Sequence, residues 1–202
     1  GAYPTAFTSV FGGDYQVFAI ATNTSAALGQ LRSHLEAISG PTEQRGAVGA
    51  AAFKGTVSDG TTMTTSINSG RISVAWLKAS ASATHELAAA YAAVIAGEED
   101  PARPLNTLAL NGIAAPGVVD RSSRTEQEVA LSNGLSPLEV GPGGKVQIVR
   151  AITTYTKNAA GTDDISLLDL TTIRSLDYIR KACVDRISLR FPREKKSKRV
   201  KA

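Results

Sequence analysis

The side chains able to do chemistry are few and badly placed for it. The sequence holds two histidines, His34 and His85, and a single cysteine, Cys183. A helical metal site needs ligands three or four residues apart, on one face of the turn. The acids near the histidines are Glu36 and Glu86, too close in sequence to share that face, so both histidines read as surface or helix-end residues. No serine sits in a G-x-S-x-G turn, where a strained strand-to-helix elbow would expose a nucleophile. Gly144-Lys145 evokes a phosphate-binding loop, but Val146 stands where a metal-binding hydroxyl is needed and Glu139 where the first glycine belongs. Both flanks of that turn are strand-like, so no helix N-terminus follows to hold an anion. The adjacent acids Glu98-Glu99-Asp100 and Asp163-Asp164 fall in loops and read as solvated. Cys183 lies on an apolar helical spacing and reads as a buried, inert thiol. Catalytic, cofactor and metal residues are accordingly assigned to none.

Composition narrows the classes further. The chain has 202 residues, 43% hydrophobic and 20% charged, enough for a sizeable core without a disulfide or metal staple. One cysteine excludes a disulfide scaffold and a cysteine-based zinc site. The net charge is +4, yet the last eleven residues hold six basic side chains against one acid. The other 191 residues carry 16 basic and 17 acidic groups, so the body is close to neutral and the basicity belongs to the tail 192–202. That tail has no aromatic residue to stack on bases and reads as a solvated end, with a nucleic-acid arm or a localisation-like patch as the alternatives. The N-terminus has no basic, apolar signal-peptide pattern, and the longest apolar run, 87–96, is too short to cross a bilayer.

The elements that must position these residues alternate. Strand-like runs cover 15–21, 47–53, 72–77 and 105–110. Between them lies a helix capped at Thr24 or Ser25, with Leu28, Leu31, Leu35 and Ile38 on one face. A weaker helix over 61–68 follows, and then a helix capped by Thr84 that ends at Gly97. Ser123 and Glu126 form a capping box, with Thr125 and Glu128 as a second register, and the helix they open ends at Asn133-Gly134. A β-hairpin is expected over 137–152, turning at 141–144. A final helix capped by Asp169 carries Leu170, Ile173, Leu176, Ile179, Cys183 and Ile187. This order predicts an α/β fold, a mixed sheet with helices packed on it, in a single body over 1–191. An α/β ligand-binding or hydrolase-like domain stays open; it would place a polar pocket at the carboxyl ends of the strands.

The second half carries a more specific pattern. The stretches 100–113 (DPARPLNTLALNGI), 120–126 (DRSSRTE), Asn133-Gly134, 146–155 (VQIVRAITTY), 164–169 (DISLLD), 176–180 (LDYIR) and 189–193 (LRFPR) occur in order. Together they resemble the tail sheath proteins of Mu-like contractile phages; the first hundred residues fit more loosely. The resemblance implies a structural subunit of a contractile tail, with no enzymatic activity, cofactor or small-molecule substrate. Its implied partners are other sheath subunits, in stacked hexameric rings, and an inner tail tube protein, in a virion tail assembled in the host bacterial cytoplasm. It also implies terminal segments that add strands to neighbouring subunits. Since the family's subunits are longer, the sequence is expected to be the central globular region without full exchange arms, and monomeric by itself. Candidate lattice contacts are Arg186, Arg190 and Arg193.

Overall fold

The computed structural model describes residues 3–192. Three parallel strands, β1 (Val17–Ala19), β2 (Val48–Phe53) and β3 (Ile72–Trp76), are followed by β4 (Ser136–Val140), parallel to β3, and β5 (Val146–Ile148), antiparallel to β4. The spatial order equals the sequence order, β1-β2-β3-β4-β5. The expected α/β fold with a mixed sheet and one antiparallel hairpin is what forms.

Six helices cover the sheet: α1 (Tyr3–Val10), α2 (Ser25–Ile38), α3 (Val57–Ile67), α4 (Thr84–Gly97), α5 (Arg124–Ser132) and α6 (Leu170–Arg190). Period-two alternation in the strands divides the core between two faces. Ala51, Ile72, Val74 and Trp76 pack with Leu28, Leu31, Leu35 and Ile38 of α2. Ala50, Ala52 and Ala75 pack with Leu87, Tyr91 and Ile95 of α4, together with Leu170 and Ile173 of α6. The strand β2 is almost entirely small: a Cβ on Gly49 would lie 2.8 Å from Leu31 and 2.9 Å from Leu35. Both helical layers therefore seat directly on its backbone. Between β3 and β4 a buried hydroxyl cluster joins the sheet to α4: Ser73 Oγ lies 2.7 Å from Tyr91 Oη and 3.1 Å from Ser136 Oγ. Ser136 Oγ accepts the Ile152 N–H at 2.9 Å and donates to the Ile152 carbonyl at 2.9 Å.

Several expectations are corrected. The first strand is only Val17–Ala19, shorter than 15–21. The helix expected over 61–68 begins at Val57, capped by Thr56, and places Gly60 against Leu135 and Phe53. Thr84 is the first helical residue of α4, not its cap; the Glu86 carboxylate instead receives the Ala83 N–H at 2.8 Å. Residues 105–110 are not a strand, because Thr107 adopts a left-handed φ of 65°. The segment still lies along β5, where Thr107 N–H donates to Ile148 O and Leu110 N–H to Val146 O. The hairpin spans 136–148 and not 137–152; the chain leaves β5 at Val149, and Ile152 bridges to Asp169. Asp169 precedes α6 as expected but makes no side-chain cap, since its carboxylate is taken by Arg150. The helix α1 had no sequence expectation: eight residues with a proline, two threonines, a serine and a valine offer little intrinsic helicity.

The hydroxyl cluster can be tested by substitution. Ser136→Ala leaves the buried Ile152 N–H without an acceptor and should cost about 1–3 kcal/mol in urea unfolding. Tyr91→Phe should cost less, because Ser73 keeps the Ile152 carbonyl as its acceptor.

Candidate subunit-contact surfaces

At the carboxyl ends of β3 and β4, where an open α/β sheet places its ligands, there is only a 130 Å³ hollow. Two of its charged side chains are paired within the chain: Lys78 with Glu126 at 3.0 Å and Arg124 with Glu139 at 3.3 Å. Glu126 also receives the Ser123 N–H, as its capping box requires, and that bond with the Lys78 ammonium holds its carboxyl below the usual range. The turn 141–144 is a hairpin turn, closed by Gly141 N–H donating to Lys145 O. Among the described residues no group of three or more His, Cys, Asp or Glu side chains could hold a metal, and no helix is long and apolar enough to cross a membrane.

The larger hollows lie elsewhere. A groove of about 630 Å³ runs along the amino ends of β1 and β2, between them and α6. Its wall is a ladder of polar contacts that fastens α6 to the body. Arg71 forks onto Asp177, with Nη1 to Oδ2 at 2.7 Å and Nη2 to Oδ1 at 3.0 Å, and Nη1 also donates to Ala47 O. Arg174 donates to Glu98 O, Arg180 to Ser39 O, and Lys181 to Asp14 at 2.8 Å, which raises the Lys181 amine. Burial pulls the Arg174 guanidinium down, with Glu98 and Asp100 opposing.

Beyond that ladder α6 is bare. Leu176, Ile179 and Ile187 are more than half exposed, and Cys183 is exposed as well. The expectation of a buried Cys183 on a single apolar stripe is therefore overturned. The spacing explains why. Each step of three residues falls about 60° short of a full turn, so successive steps from Leu170 to Ile179 carry the stripe off the body-facing side. Arg186 and Arg190 are exposed on this free part, four residues apart, and Arg190 lies over the Phe191 ring at 5.7 Å. Neither takes part in an ion pair among the described residues. Arg193, with the tail from 193 on, lies outside the described residues.

Two further surfaces stand out. Among the described residues the outer edge of β1 ends the sheet and has no neighbouring strand, whereas the opposite edge, β5, is covered by 105–110. The second is the α1–α2 face. His34 was expected at the surface but is 7% exposed, stacked on Phe7 at 4.7 Å and edge-on to Phe18 at 5.1 Å and Phe11 at 6.0 Å. Burial, and then the Arg45 charge, push its pKa down. Its Nε2 has no hydrogen-bond partner. The sequence signal for this burial was present: His34 lies one residue from Leu35 and three from Leu31, on the apolar face of α2. What it lacked was the aromatic helix α1 that covers it. His85 opens α4 at its first turn, the helix-end position expected for it.

These are the surfaces the described residues offer, and comparison with known proteins places the chain among relatives. Residues 1–154 match the family model of the phage tail sheath protein central domain. A Mu-like prophage tail sheath protein of Haemophilus influenzae is 36% identical over 171 residues, 84% of this chain and 35% of that protein. The sheath tail protein of Desulfitobacterium hafniense shares the fold at a TM-score of 0.70 and 16% identity, over 94% of this chain and 43% of that one. The contracted helical sheath of the anti-feeding prophage does so at 0.60 and 15% identity, over 98% of this chain and 52% of that one. The chain therefore spans about a third to a half of the length of these relatives.

Two outcomes check the geometry. Asp177→Ala should destabilise the protein by about 2 kcal/mol, the scale of a lost charge-assisted pair, and raise amide exchange over 174–181. Because the His34 pKa is lower folded than unfolded, its contribution is complete above about pH 6.5 and is lost as pH falls through the folded value. Urea midpoints should drop on acidification from pH 7 to 5, and His34→Phe should flatten that slope.

Proposed function

The chain belongs to the phage tail sheath family, and from that premise we propose that it is a structural subunit of a contractile phage or phage-like tail. In this role it polymerises with other sheath subunits around an inner tube and contracts to drive the tube through the host envelope. It catalyses no reaction and holds no cofactor, small-molecule substrate or specific nucleic acid. Residues 1–191 act as one α/β body, and 192–202 as a basic tail. The place of action is the virion tail, assembled in the host bacterial cytoplasm, with an inner tail tube protein as the further partner.

The observation that carries this reading is the asymmetry of the sheet edges. An uncovered parallel edge offers main-chain donors and acceptors to a strand from elsewhere. The β5 edge is already covered, so one direction of growth is favoured. Contraction requires the same body in two packings. A body whose two layers close on the small residues 49–52 of β2, with α6 clamped by four polar side chains, can rotate without deforming. Arg186, Arg190 and Arg193 fit lattice contacts in this scheme, since the first two stand free on α6.

An antibody raised against residues 3–192 is expected to decorate tails along their whole length in electron micrographs, with stacked rings around an inner tube. Absence of decoration along the tail would overturn the proposal. The isolated 202-residue chain should sediment as a monomer, because strand addition needs a donor segment from a neighbour; stable hexamers would contradict it.

A further inference from the structure

The dipeptide Asn-Gly occurs twice in the chain, at Asn111-Gly112 and Asn133-Gly134. In this pair an asparagine can react with its own backbone, because glycine, with no Cβ, lets the next main-chain nitrogen approach the side-chain amide. The reaction needs that nitrogen free to lose its proton and the asparagine free to turn toward it. The fold sets both conditions oppositely at the two sites. Asn133 ends α5 with every group engaged: its Nδ2 donates to Val129 O at 2.8 Å, and Gly134 N–H donates to Leu131 O at 3.3 Å. A Cβ at Gly134 would lie 2.9 Å from the Thr154 backbone, so the segment has no room to turn. Asn111 and Gly112, in contrast, are exposed and form a turn, with Gly112 at a φ of 79° and nothing within 4 Å of where a Cβ would stand. Among the described residues neither the Asn111 side chain nor the Gly112 N–H has a hydrogen-bond partner within the chain. The backbone is pinned on either side of this pair. Leu110 N–H donates to Val146 O at 2.8 Å, Ala114 N–H to Ser82 Oγ at 2.9 Å, and Ser80 Oγ to Ala114 O at 3.0 Å.

We infer that Asn111 is a site of spontaneous deamidation and that Asn133 is protected from it by the end of α5. The Gly112 nitrogen gives up its proton and attacks Asn111 Cγ. The N–Cγ bond forms, the Cγ–Nδ2 bond breaks, and Nδ2 leaves as ammonia with that proton, closing a succinimide ring. Water then adds to one of the two ring carbonyls and the Gly112 nitrogen recovers a proton. Opening at Cγ gives aspartate; opening at the main-chain carbonyl gives isoaspartate. Ammonia leaves, water enters, and nothing is oxidised or reduced. Because the step is intramolecular and consumes only water, it does not rest on the sheath reading. Both products put a carboxylate into a neutral, exposed turn. The isoaspartate form also routes the main chain through the side chain, which lengthens by a methylene the path between the two pinned points, Leu110 and Ala114. The bonds from Ser80 and Ser82 to Ala114 should loosen in consequence.

The unaltered chain is incubated in mildly alkaline heavy-oxygen water, with a parallel sample in urea, then digested in ordinary acidic buffer and read by mass spectrometry. In the folded chain heavy oxygen should enter at Asn111 more than about tenfold faster than at Asn133, where two hydrogen bonds must open first. In urea those bonds are gone at both sites, and the two rates should converge. Equal folded-state rates, faster conversion at Asn133, or a folded-state rate at Asn111 far below its rate in urea would overturn the inference. Chains bearing isoaspartate, separated by chromatography, should exchange the Ala114 amide faster than unconverted chains; unchanged exchange there would overturn the loosening of the turn.

Discussion

The strand Val48–Phe53 sets the dimensions of everything around it. Helices pack on both faces of β2, and its residues between Val48 and Phe53 are one glycine and three alanines. Leu31 and Leu35 of α2 occupy the space above Gly49 that any side chain would fill. On the opposite face the alanine-rich α4 closes on Ala50 and Ala52. Two layers brought this near to a single backbone interdigitate tightly, and tight packing resists continuous deformation.

The rest of the molecule is arranged outward from that strand. Polar groups inside the core are joined into a closed set by Ser73, Tyr91, Ser136 and Ile152. Burial raises the Tyr91 phenol, so it stays a neutral hydroxyl at the centre of that set. Several basic side chains at the periphery fasten α6 to the body: Arg71, Arg174, Arg180 and Lys181. On the outside remain an open sheet edge and the exposed apolar residues of α6.

Much of the architecture was legible because local signals were strong. The 3-4-3 spacing in α2 and the capping signals of α5 placed both helices to within a residue or two, and the Asn133-Gly134 stop matches a left-handed Gly134 whose Cβ would strike the Thr154 backbone at 2.9 Å. Where the reading failed, a tertiary contact overrode a weak local preference. Residues 105–110 look like a strand, and they do bond to β5, but the left-handed Thr107 breaks the ladder. The helix α1 exists because Phe7 and Phe11 find His34, a partner 23 or more residues away. No local pattern encodes that meeting.

By itself the sequence determined the α/β class, the order of elements, the concentration of basic charge in the tail and the family resemblance. These follow from periodicity, composition and ordered motifs, which are properties of neighbours along the chain. Tertiary structure alone decided which faces stay bare. The apolar residues of α6 are evenly spaced in sequence, yet only Leu170 and Ile173 are buried, because the stripe winds away from the body as the helix advances. His34 became core and Cys183 became surface for the same reason: burial depends on what packs opposite a residue, and only the folded chain establishes that.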